Sequence, residues 1–133
     1  MADEIVMALR LLLAAVLGGL IGLQREKTGK PAGLRTHMLI CMGATIFTLV
    51  SIYGFSGMVD PSRVAAGVVT GIGFIGAGAI IFRTREGYVS GLTTAATIWV
   101  VAGIGLAVGS GLYLASAIIT AIVLIVLLIP HIK

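Results

Sequence analysis

The chain has 133 residues, of which 59% are hydrophobic and only 11% charged, with a formal net charge of +4. A soluble domain carries about 25% charged residues, so this chain cannot cover a water-facing surface, and its mean hydropathy of +1.16 excludes a soluble enzyme or a nucleic-acid-binding domain. It is expected to be an all-α membrane protein forming a single transmembrane domain over residues 1–133, because a bilayer span takes about 20 apolar residues and the length allows about five spans.

The first span is predicted over Ile5–Leu23. Its flank, MADEIVMALR, is acidic and reaches a base only at Arg10, which suits a retained span better than a cleaved leader. Arg10 lies about one turn inside the outer boundary, where its long stem reaches water or Asp3. Span 2 follows at His37–Phe55 after the loop QREKTGKPAGLRT. It holds the single cysteine, Cys41, which reads as a small buried hydrophobe. Span 3 is Arg63–Phe82, entered through Asp60-Pro61-Ser62, with Asp60 or Ser62 as the helix cap. Arg63 is the outer charge of that loop. The uncharged stretch 91–130 would form one helix about 60 Å long against a core of about 30 Å. It must therefore break, and Gly109-Ser110-Gly111 is the predicted turn. Span 4 is then Leu92–Val108 and span 5 is Leu112–Ile129.

Lysine and arginine set the orientation. Arg25, Lys27, Lys30 and Arg35 lie in the 1–2 loop, and Arg83 and Arg85 in the 3–4 loop. Basic loops stay in the cytoplasm, so the N-terminus is expected outside and the C-terminus inside.

Residues 71–78 read GIGFIGAG, and Gly71, Gly73 and Gly76 match the G-x-G-x-x-G of dinucleotide-binding turns. The context is wrong. No turn separates a strand from a helix, and no acid follows about 20 residues on. Helix packing explains these glycines better. Span 3 carries Gly67-x-x-x-Gly71, then Gly73, Gly76 and Gly78; span 1 carries Gly18 and Gly22, and span 4 Gly105 and Gly109. Small residues let backbones approach closely, which is a main source of helix association in lipid. Because its small residues occupy several faces, span 3 is expected in the middle of the bundle. A flexible or partly unwound binding segment is the alternative reading. An internal parallel repeat is also suggested. GLIG, Arg25-Glu26 and Gly33-Leu34-Arg35-Thr36 recur in order as GFIG, Arg85-Glu86 and Gly91-Leu92-Thr93-Thr94.

The cytoplasmic rim is the candidate site. Two helix N-termini begin there, and such termini attract anions. Arg25, Glu26, Arg35, Thr36, His37, Arg85, Thr93, Thr94 and Thr97 are the candidate residues for an anion or a partner loop. Arg25-Glu26 and Arg85-Glu86 are positioned to pair across the loops. The plainer reading has the hydroxyls capping their own helices and the bases gripping anionic lipid. Trp99, in mid-span, is expected to pack. No Asp or Glu lies within a span, no metal-ligand cluster is present, and no nucleophile has a neighbouring base. No cofactor, metal or catalytic residue is therefore expected.

Three strings, GLQREKTGKPAGLRTHMLICMGA, RVAAGVVTGIGFIGAGAII and GLTTAATIWVVAGIG, together resemble the MgtC/SapB family of bacterial inner-membrane proteins, from about Leu9 to Leu124. The resemblance implies a domain of about five helices. It also implies a link to growth at low magnesium and, in pathogens, to survival inside host cells. Members of the family are usually regarded as regulators of other membrane proteins, with a small ion transporter or channel as the alternative. The implied partners are membrane lipid and another inner-membrane protein or a second copy of the chain. The motif positions carried over are Gly22, Arg25, Glu26, Ala32, Gly33, Leu34, Arg35, Thr36, Arg63, Gly71, Gly73, Gly76, Gly91, Leu92, Thr94, Ala95 and Thr97. Two departures stand out: Gln24 replaces a frequent acid, and Thr93 an asparagine found in some members. Many relatives carry a soluble domain after the last helix. The sequence here runs to Lys133, so a role requiring that domain is not expected.

Overall fold

The computed structural model describes residues 2–83 and 91–130, and the side chains of 3–80 and 91–130. Among the described residues, five helices follow in order: α1 (Ala2–Lys27), α2 (Leu34–Tyr53), α3 (Ser62–Arg83), α4 (Leu92–Gly109) and α5 (Tyr113–Leu127). The protein is all-α, and four of these helices are long and apolar enough to cross a membrane. The fifth is apolar but only 15 residues long, or about 22 Å.

Helix α1 outruns its expected end because Gln24-Arg25-Glu26-Lys27 are good helix formers that continue the ladder. It stops where Gly29 takes φ +70. The Thr28, Gly29 and Lys30 amides then close back on the carbonyls of Gln24, Glu26 and Arg25. At Ala32, a residue with a Cβ also adopts a left-handed φ of 57, at a cost of about 1 kcal/mol. At the break between α4 and α5, Gly111 sits at φ +88, as the Gly-Ser-Gly turn predicted. Asp60 caps α3: its Oδ1 accepts from the Ser62 amide at 2.9 Å and the Ser62 hydroxyl at 2.7 Å. These donors hold the exposed Asp60 carboxyl below the usual carboxylate range.

The core forms where Ala14, Leu17 and Ile21 of α1 meet Cys41 of α2 and Val101, Ile104 and Val108 of α4. Glycines permit the approach. A methyl group on Gly18 would stand 2.7 Å from the His37 carbonyl oxygen, and one on Gly22 2.8 Å from the Leu34 Cα. The same holds between α2 and α4, where a methyl on Gly109 would stand 2.6 Å from the Thr48 Cβ. At this seam the Thr45 hydroxyl donates to the Gly105 carbonyl at 2.9 Å.

Helix α4, not α3, occupies the middle. It packs against all four other helices, and half of its residues are buried, against 11% along the most apolar stretch of α3. The expectation for span 3 fails because its small residues remove bulk from several faces but only one face finds a partner. Gly76 rests on Ala95 of α4 at ordinary contact distance, whereas Gly67, Gly71, Gly73 and Gly78 have nothing among the described residues within 4 Å. Trp99 likewise faces outward, 59% exposed.

Candidate functional site

The C-terminal end of α1 and the N-termini of α2 and α4 meet at one end of the bundle. Arg25 is brought there by periodicity. With Ala14, Leu17 and Ile21 it lies on the single stripe of α1 that faces inward. It is only 4% exposed, and its Nη2 donates to the Thr94 hydroxyl at 2.8 Å. His37, fully buried, lies within reach of the Arg25 charge. Its Nδ1 donates to the Gly33 carbonyl at 2.9 Å, which leaves Nε2 as the acceptor of the neutral ring. Arg25 Nε, His37 Nε2 and Gln24 Oε1 are all buried with no hydrogen-bond partner among the described residues. Among the described residues no side chain caps α4, whose N-cap is Gly91 in a left-handed conformation.

The rim thus divides. Arg25, His37 and Thr94 come together. Glu26 does not join them: its Oε1 turns to the α2 start, accepting weakly from the Leu34 amide at 3.4 Å, where Gly33 leaves it room. Thr97 is buried but donates back to the Thr93 carbonyl in its own helix at 2.7 Å. Arg35, Thr36 and Thr93 are exposed. Arg85, and with it the Arg85-Glu86 half of the suggested cross-loop pairing, lies outside the described residues. Among the described residues Arg25 makes no ion pair, and no three His, Cys, Asp or Glu side chains cluster to hold a metal ion. Gln24 went unrecognised as part of this end, since it read only as a missing acid.

At the other end, Arg10 is a structural latch. Its Nε donates to the Tyr113 hydroxyl at 2.7 Å, and its Nη1 donates to the Gly109 carbonyl at 2.8 Å. The guanidinium also lies 5.6 Å from the Tyr113 ring centroid. A cation at the C-terminus of α4 offsets the partial negative charge of its free carbonyls. Arg63 is exposed beside the Asp60 cap.

The third feature is a groove of about 570 Å³ between α2 and α3. Gly43, Phe47, Val64, Gly67, Gly71 and Ile75 are among its lining residues. Gly67, Gly71, Phe74 and Gly78 recur at spacings of four, three and four, so they mark one face of α3. Phe74 is 79% exposed.

Comparison with known proteins agrees with the sequence strings. The family model described as the MgtC family matches residues 11–132. YhiD of Escherichia coli strain K12, provisionally named a magnesium transporter, is 54% identical over 112 residues, covering 79% of this chain and 51% of that protein. SapB of Bacillus subtilis is 46% identical over 112 residues, covering 79% and 48%. MgtC of Brucella abortus strain 2308 is 47% identical over 114 residues, covering 85% and 46%. The chain therefore spans about half the length of these relatives. No solved structure matches. The resemblance read from the three strings and the match along nearly the whole chain agree: this protein belongs to the MgtC family.

Proposed function

We propose that the chain is a non-enzymatic regulator in a bacterial inner membrane, linked to magnesium or acid stress, and that it acts by docking on a membrane partner. The observation that carries this reading is the open face of α3. Four of its five glycines meet nothing among the described residues within 4 Å, although small residues in lipid are useful chiefly where another backbone comes close. The groove beside them is wide and apolar. The partner is another membrane protein or a second copy of the chain, and the end carrying Arg25, Lys27, Lys30 and Arg35 faces the cytoplasm.

A second reading, transport, is favoured by the name of the Escherichia coli relative. The placement of the acids weighs against it: among the described residues, Asp3, Glu4, Glu26 and Asp60 lie in the first or last turn of a helix or in a loop, whereas cation pathways commonly use carboxylates within the membrane. Reconstitution separates the two. Purified protein in liposomes should move magnesium, protons and small anions no faster than empty vesicles. Flux above that background, abolished by Arg25→Gln in folded and inserted protein, would make it a transporter.

A further inference from the structure

Arg25 presents an electrostatic imbalance. A guanidinium is permanently charged, and burying a charge is costly unless it is paired. Yet its one hydrogen bond runs to a neutral hydroxyl, that of Thr94, and its Nε–H is buried with no acceptor. The surroundings add to the excess of positive charge. Thr94 stands in the first turn of α4, whose free N–H groups carry partial positive charge and have no side-chain cap. The N-terminus of α2, with its own partial positive charge, also arrives here. The C-terminus of α1 would compensate, but its last carbonyls already accept from Thr28, Gly29 and Lys30. Glu26, the nearest acid in sequence, points to Leu34 instead.

We propose that this end of the bundle is a binding site for a phosphate-type oxyanion. Arg25 would supply the charge, the free N–H groups at the start of α4 would point at the ligand, and Thr94 would hold the guanidinium in position. Guanidinium and helix N-terminus are the two groups best suited to phosphate. The level is also right. The site lies where the apolar stretch of α1 gives out at Lys27 and where α2 and α4 begin, which is headgroup depth in a bilayer. The phosphate of an anionic lipid and free inorganic phosphate are the two sources of this chemistry.

The test uses the full chain in an uncharged detergent, with thermal unfolding as the readout. Inorganic phosphate is titrated in one arm and phosphatidylglycerol in mixed micelles in the other, against chloride and phosphatidylcholine controls. A saturable rise in the unfolding midpoint is expected in at least one arm, and the arm that responds names the source. Arg25→Lys keeps the charge but not the planar fork and should weaken the apparent affinity by about tenfold or more. Thr94→Val should do so while leaving Arg25 in place. Monodisperse elution of each variant guards against misfolding. No saturable shift with either probe would overturn the proposal and leave an ordered water as the partner of these groups. An undiminished shift in both variants would place the binding elsewhere and also overturn it.

Discussion

Alanine at Gly105 and alanine at Gly71 should have opposite effects, although both are single methyl additions to glycines of apolar helices. At Gly105 the added Cβ would stand 2.7 Å from the Ala44 Cβ and closer still to the Cys41 carbonyl oxygen. Carbon atoms rest at about 3.5–4.0 Å, so α2 and α4 must part by about 1 Å. Backbone atoms cannot step aside as the tip of a long side chain can. Overpacking of this kind costs about 1–3 kcal/mol. The Thr45 hydrogen bond to the Gly105 carbonyl is stretched, at a further cost of about 1 kcal/mol. The gain in helix propensity returns about 1 kcal/mol. The net effect is a loss of about 2 kcal/mol, roughly a thirtyfold shift in the unfolding equilibrium. At Gly71 nothing lies within 4 Å, so only the propensity gain remains, and the variant should be as stable as the parent or up to about 1 kcal/mol more stable. Unfolding in mixed detergent, followed by helical circular dichroism on monomeric protein, measures both. Equal stability of Gly105→Ala and the parent, or a loss at Gly71 as large as that at Gly105, would refute this packing argument.

Three further outcomes follow from local geometry. Arg10→Met should destabilise by about 1–3 kcal/mol by removing two charged hydrogen bonds, and Tyr113→Phe should do so by less, as read by the same unfolding assay. Ala32→Gly should stabilise by about 1 kcal/mol, because glycine accepts the left-handed φ without strain. The Asp60 cap predicts a pH response. Its folded-state pKa is depressed, so its contribution is present above the ordinary carboxylate range and is lost as pH falls through the lowered value. Hydrogen exchange at the Ser62 amide should accelerate over that fall, and Asp60→Ala should remove the pH dependence.

The number of helices and their approximate limits were legible because lipid imposes a simple rule on length and hydropathy, and charge clusters mark the breaks. The Gly109-Ser110-Gly111 turn was legible because a 40-residue apolar run cannot be one span. The burial of Arg25 was equally readable, since Ala14, Leu17, Ile21 and Arg25 share one stripe, yet its charge directed attention to the rim. The central position of α4 was not readable. Packing in lipid depends on which small-residue face meets which, and a glycine serving an internal contact (Gly105) looks the same in sequence as one serving none (Gly71). Nor does local spacing foretell that Arg10 latches onto Tyr113, since 103 residues separate them.

The account's central claim is that the open face of α3 receives a membrane partner, and photocrosslinking in native membranes tests it most directly. A photoreactive phenylalanine at Phe74, on the face marked by Gly67, Gly71 and Gly78, should yield a protein adduct of defined mass. The same probe at Ile122 on the exposed side of α5 should yield lipid adducts alone. Gly71→Leu, which fills the groove where no neighbour lies within 4 Å, should abolish the protein adduct while leaving the chain folded. Lipid adducts alone from both positions, or a protein adduct indifferent to Gly71→Leu, would contradict the claim and return α3 to an ordinary lipid-facing helix.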